Sequence, residues 1–168
     1  MKFTNTNPKD FKKFVDSIPG EKLEHIWFFP IWANSKRPQS QTSLKDNTAM
    51  RLDKYQAYER LKDGSNIGVY GLPGGLMFLD LDVKNKKFLA SIDLVLDVLE
   101  YPTLTIRTRN GGLQKYFWNN GQYANQLIKE NGVIIGELRT NWQYVVSIGS
   151  YVPQDENYIS GDGTYRIL

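Results

Sequence analysis

The sequence predicts an α+β domain in which helices pack on a mixed β-sheet. Three observations predict it. Helical periodicity is confined to the first hundred residues, whereas the chain after Pro102 is a succession of β-branched and aromatic runs split by turn signals. The chain has 168 residues, of which 40% are apolar and 23% charged, the balance of a folded domain able to bury a core. No repeat, low-complexity block or long linker divides it, so residues 1–168 are expected to form one domain.

The elements follow in order. Asn7 and Pro8 suit a helix start, and Phe11, Phe14, Val15 and Ile18 share one face, so residues 8–18 read as a helix that Pro19-Gly20 ends. His25–Trp32 is dense in aromatic and β-branched residues and reads as a buried strand, with Pro30 near its end. Residues 33–47 are polar and loop-like. Arg51–Lys62 reads as a helix with Leu52, Tyr55, Tyr58 (or Ala57) and Leu61 inward, stopped at Gly64. Ile67–Tyr70 and Leu76–Val83 read as strands around the turn Gly71–Gly75. Lys86–Glu100 reads as a helix with Leu89, Ile92, Leu96 and Leu99 as its apolar stripe, ended by Pro102. Strands are then expected at Thr103–Thr108, Gln114–Trp118, Val133–Leu138, Gln143–Ser147 and Thr164–Leu168, the first two joined by Asn110-Gly111-Gly112.

Composition excludes several chemistries. With no cysteine there is no disulfide framework, no zinc finger and no thiol nucleophile. A single histidine, His25, argues against multi-histidine zinc sites and histidine-based triads. The net charge of +3 is mild, but its distribution is uneven. Residues 26–45 carry Lys36, Arg37 and Lys45 without an acid, and residues 101–129 carry Arg107, Arg109, Lys115 and Lys129 without an acid. Such stretches suit a polyanion, and they also occur as ordinary solvated faces. The N-terminus has no apolar signal region and no stretch approaches the ~20 apolar residues of a membrane span, so a cytoplasmic protein without membrane partners is expected.

Three segments could carry chemistry. In Leu76-Met-Phe-Leu-Asp-Leu-Asp-Val83 an apolar strand is interrupted by two acids. Spacing of two puts Asp80 and Asp82 on one face and Leu79, Leu81 and Val83 on the other. Two close carboxylates repel, and a hard divalent cation such as Mg²⁺ or Mn²⁺ between them removes that cost. Read alone, the pair also fits an exposed strand end. In Thr105–Phe117, Gly111 and Gly112 let backbone approach a ligand, and Arg107, Arg109 and Lys115 surround the turn with positive charge. Gln114 and Tyr116 point to one face of the following strand, Lys115 and Phe117 to the other. A phosphate-binding hairpin and a plain hairpin with exposed bases both fit. Glu137 is a lone acid in the apolar strand from Val133, with Arg139 on its face; it could be a third metal ligand or half of a cross-strand ion pair. Gly71–Gly75 lacks the Gly-Lys-Ser/Thr of a phosphate-binding P-loop.

The order of these segments resembles the N-terminal primase–polymerase (prim-pol) domain family of the archaeo-eukaryotic primase superfamily, found in replication proteins of plasmids, viruses and phages. Asn34-Ser-Lys-Arg-Pro38 is similar to an early Gly-Lys-x-Pro segment, and Asn66-Ile-Gly-Val-Tyr-Gly71 to an Asn-Ile-Gly strand. Phe78-Leu-Asp-Leu-Asp82 resembles the D-x-D/E metal motif. Thr108–Phe117 resembles a Ser-Gly-Gly-x-His-x-Tyr-Phe motif. Ile135-Gly-Glu-Leu-Arg139 followed by Tyr144-Val-Val-Ser147 resembles the third-acid strand and its successor, and Gly161-Asp-Gly-Thr-Tyr165 a closing Gly-x-x-Tyr.

The resemblance implies a primase-like catalytic core with an RRM-like palm, and template-directed nucleotidyl transfer by two Mg²⁺ or Mn²⁺ ions. It implies Asp80, Asp82 and Glu137 as metal ligands. Gln114, Lys115, Arg107, Arg109, Gly111 and Gly112 would contact the nucleoside triphosphate, and Lys36 and Arg37 the nucleic acid. Expected partners are a single-stranded DNA template, nucleoside triphosphates and a helicase domain or protein. Two departures stand out: Gln114 replaces the family's histidine, and Glu137 its more usual aspartate. The first makes a catalytically weakened module that binds nucleic acid or nucleotide in a replication complex the rival reading. A nuclease using the same acids is a third.

Overall fold

The computed structural model describes residues 5–39, 50–81, 103–154 and 161–168. The helix expected at Lys86–Glu100, most of the loop at 33–47 and the last two residues of the strand expected at Leu76–Val83 lie outside them.

The first helix, α1 (Pro8–Asp16), buries Phe11, Phe14 and Val15, the face that periodicity marks. Asn7 makes no side-chain cap; its backbone N–H donates to the Gly149 carbonyl at 2.7 Å instead, tying the helix start to a distant loop. A short helix not expected from sequence, α2 (Gly20–Leu23), follows at once, because Pro19 at φ −54° starts a turn as readily as it ends one. The third helix, α3 (Lys54–Lys62), begins at a capping box in which Asp53 accepts from Tyr55 and Gln56 N–H groups and Gln56 accepts from Asp53 N–H. Its buried residues are Ala57 and Leu61, while Tyr55, expected inward, is 71% exposed.

The strands are β1 (Phe28–Ile31), β2 (Asn66–Tyr70), β3 (Leu76–Leu81), β4 (Leu104–Arg107), β5 (Leu113–Trp118), β6 (Gln126–Glu130), β7 (Val133–Arg139), β8 (Tyr144–Val146) and β9 (Arg166–Ile167). They form two antiparallel sheets, one ordered β1-β2-β8 and one ordered β6-β7-β3-β5-β4-β9, where a single mixed sheet was expected. The α+β class holds. Pro30 is tolerated because β1 lies at the end of its sheet order. Strand β6 was not expected. It forms a hairpin with β7 through Asn131 and Gly132, both in the left-handed region at φ 50° and 79°.

Helix α1 ties the two sheets together. Phe11 packs edge-on against Phe28 of the small sheet, with centroids 5.2 Å apart, and Phe14 edge-on against Tyr116 of the large one at 5.6 Å. Phe78 continues the cluster from the neighbouring strand, 4.7 Å from Tyr116. The core covers Phe78 and Tyr116 and, in the next row of the large sheet, continues only on the β4 side, at Ile106. Among the described residues no helix is long and apolar enough to cross a membrane.

Candidate active site

That next row brings two acids and an amide together on the face that carries Arg139 one row earlier. Along β3 the alternation runs Leu76, Phe78, Asp80 on one face, and Asp80 is the first residue past the aromatic cover. Directly opposite Asp80 stand Glu137 on β7 and Gln114 on β5, and Gln114 in turn faces Ile106 on β4. Two acids and an amide from three strands, separated by up to 57 residues, thus share one row. The approach is tight because Gly136 precedes Glu137: a Cβ there would stand 2.6 Å from the Asp80 carbonyl oxygen.

The row floors an open cleft of about 300 Å³. Lys36, Arg109 and Arg139 bring positive charge to its walls, Thr108 and Gly112 contribute the turn before β5, and Tyr165 closes one side. Lys36 is carried on a fixed loop. The Trp32 N–H donates to the Arg37 carbonyl (3.1 Å), the Arg37 N–H to Ser35 Oγ (3.0 Å), and the Tyr144 hydroxyl to the Lys36 carbonyl (3.2 Å). Arg109 is anchored by Nη1 donating to the Pro153 carbonyl at 2.8 Å.

Arg139 joins the acids. Its Nη2 lies 2.7 Å from Glu137 Oε2 and its Nε 3.4 Å from Asp80 Oδ2. The same guanidinium donates through Nη1 to the Tyr144 carbonyl at 3.2 Å. Burial pushes the Asp80 carboxyl above the usual aspartate range; the charges of Arg139 and Lys36 and the Gln114 amide pull against it, and Glu137 adds to it. Burial likewise pushes the Tyr165 and Tyr116 hydroxyls well above the ordinary phenol value, so both stay neutral. Gln114 is 3% exposed, and its Oε1 is buried without a hydrogen-bond partner, as is Arg109 Nε. Arg139 Nε is a third such atom at the cleft, and buried polar atoms left unpaired beside an opening are open to a ligand.

The expected site residues divide. Asp80, Glu137, Gln114, Arg109, Gly112 and Lys36 line the cleft. Asp82 lies outside the described residues. Lys115 and Arg107 alternate to the opposite face, with Lys115 opposite Leu79 and Arg107 opposite Leu113, so neither reaches the cleft. Gly111 shapes the turn, its N–H donating to the Thr108 carbonyl at 2.9 Å, without lining the cleft, and Arg37 holds the Lys36 loop by its backbone. Sequence reasoning treated Arg139 only as a partner of Glu137 and left Tyr165 out of the site. The spacing of two from Glu137, and the closing Gly-x-x-Tyr, were the signals available.

Among the described residues no three acids or histidines converge. Asp80 and Glu137, opposite each other on adjacent strands, are hard oxygen donors of the kind that could hold a divalent cation, and one guanidinium contacts both.

A family model described as bifunctional DNA primase/polymerase, N-terminal, matches residues 22–167. No curated protein matches the chain.

Proposed function

The chain belongs to the bifunctional DNA primase/polymerase N-terminal family, whose enzymes depend on divalent metal and act on DNA and nucleotides; from that premise we propose that its cleft carries out template-directed nucleotidyl transfer by a two-metal mechanism. The observation that carries the proposal is the row Glu137–Asp80–Gln114 at the floor of a cleft walled by Lys36 and Arg109. The setting, by the sequence resemblance, is replication of a plasmid, virus or mobile element.

In this reading Asp80 and Glu137, together with Asp82 taken from the sequence motif, hold Mg²⁺ or Mn²⁺. Bound there, the ions would activate the attacking hydroxyl and neutralise the triphosphate and departing pyrophosphate. The chain's own residues then position the reactants. Lys36 and Arg109 meet the triphosphate oxygens, Tyr165 offers a neutral hydroxyl at the cleft wall, and the Gly112 turn lets backbone approach. The primer 3′-oxygen bonds the α-phosphorus as the bond from that phosphorus to the β-phosphate oxygen breaks, the hydroxyl proton passing to solvent and pyrophosphate leaving, a reaction that needs positioning and charge neutralisation more than covalent help. Incorporation of labelled nucleotides on primed and unprimed single-stranded templates, with and without Mn²⁺, tests this. Metal-dependent extension supports it; none under any condition, with DNA binding intact, favours the binding-module reading.

That second reading has one observation in its favour. Gln114 is neutral, and its unpaired atom is an acceptor, which does not pair with a phosphate oxygen. Gln114→His is therefore expected to raise catalytic efficiency, chiefly through tighter nucleotide binding and more at lower pH, where imidazolium is charged. Unchanged nucleotide affinity in both Gln114→His and Gln114→Ala would remove Gln114 from the triphosphate site.

Lys36 and Arg37 are separable. Lys36→Ala is expected to raise KM for the nucleotide about tenfold, the loss of one charged contact. Arg37→Ala is expected to weaken single-stranded DNA binding and flatten its salt dependence. Equal KM effects from the two variants would contradict the placement of Lys36 alone on the cleft.

A further inference from the structure

We propose that Arg139 is a resident counter-cation: it holds Asp80 and Glu137 facing each other before divalent ions arrive, and the ions displace it from between them. This rests on the nucleotidyl-transfer reading of the cleft. Its guanidinium contacts both acids, Nη2 at 2.7 Å from Glu137 and Nε at 3.4 Å from Asp80 as an ion pair without a hydrogen bond, and so takes up oxygens a divalent ion must reach. Without a positive charge there, two carboxylates placed opposite each other on adjacent strands would repel. Displacement does not free the side chain. Nη1 is held by the carbonyl of Tyr144, the first residue of β8, at 3.2 Å, with Oε1 of the preceding Gln143 at 3.5 Å, neither part of the acid pair. The guanidinium is thus retained on the cleft wall, where a triphosphate can take it up. Metal and nucleotide binding are thereby coupled: the metal releases the guanidinium and the nucleotide occupies it, so each tightens the other.

The test is titration of the whole chain with Mn²⁺ by calorimetry, with and without a non-hydrolysable deoxynucleoside triphosphate, alongside thermal melts. Arg139→Gln is expected to bind Mn²⁺ about tenfold more tightly than wild type when nucleotide is absent, and to lose most of the tightening that nucleotide brings. Arg139→Lys keeps the charge but cannot span both acids, so its Mn²⁺ affinity is expected to approach that of Arg139→Gln. Both variants are expected to melt lower than wild type in metal-free buffer, and saturating Mn²⁺ to close that gap. A purely structural arginine would leave the gap open with metal bound, which would overturn the proposal. Equal Mn²⁺ affinity in all three proteins would do the same, as would Arg139→Lys matching wild type while Arg139→Gln alone binds more tightly, because that marks a diffuse charge effect. If no protein binds Mn²⁺ even with nucleotide, the nucleotidyl-transfer reading fails and this inference with it.

Discussion

Asp80→Asn is expected to lower nucleotide incorporation about a thousandfold while the protein stays folded. The variant keeps the side chain's size and removes one of two hard donors that face each other across β3 and β7. Glu137→Gln should lose a similar amount, since the remaining carboxylates would hold an ion poorly against the cleft's cations. Stability should move the other way. Burial raises the proton affinity of Asp80 in the folded chain, so folding without metal is opposed by its ionised form. That opposition is absent below the unfolded carboxyl pKa, grows as pH rises toward the folded value, and is complete above it. Asp80→Asn should therefore melt higher than wild type at neutral pH in metal-free buffer, an advantage that vanishes in acid. Mn²⁺ should raise the melting temperature of wild type and not of the variant. Undiminished incorporation by Asp80→Asn, measured on the same primed template, would take the acids out of the chemistry.

What could be read beforehand follows the range of the physics involved. Asp80 was legible because a charge in an apolar strand breaks a local pattern, and its face follows from a period of two. That Glu137 faces the aspartates is among the sequence expectations, but the register that sets it directly opposite Asp80 is not, because register between strands far apart in sequence is decided by the whole sheet. The same gap hid the division into two sheets. Arg107 and Lys115 were assigned to the phosphate site by proximity to the turn, yet alternation already set Lys115 against Gln114, and the structure carries that through. Strand β6 was missed because Gln126–Glu130 has no apolar alternation, although the Asn131-Gly132 pair after it is a strong hairpin signal. At the helix starts, Asn7 suits its position by residue type yet forms no side-chain cap, whereas the Asp53–Gln56 box is visible from spacing alone. Tyr55 went wrong by one position, since a stripe of Ala57 and Leu61 leaves it on the wet side.

Gly136→Ala is expected to break the site through the backbone, without touching a functional group. Residue 136 pairs with Leu81, one step from the Asp80–Glu137 pair. A Cβ there would meet the Asp80 carbonyl oxygen at 2.6 Å, Leu81 Cδ2 at 2.9 Å and Leu81 Cα at 3.3 Å. Two of those atoms are backbone of a strand flanked on both sides, so β3 cannot swing aside and β7 must lift from it. Overpacking of this kind costs about 1–3 kcal/mol, which should show as a lower melting temperature. The functional consequence should exceed the stability cost, because lifting β7 carries Glu137 away from Asp80 and spreads the two donors. Incorporation and the Mn²⁺-induced rise in melting temperature should both be lost at temperatures where circular dichroism still reports a folded chain. Gly132→Ala is the control: open space surrounds that position, and its cost is the strain of a left-handed turn at φ 79°. It should destabilise the hairpin while leaving Mn²⁺ binding intact. A Gly136→Ala protein that folds and binds Mn²⁺ as wild type does would mean that the close approach of β7 to β3 is not what brings the two acids together.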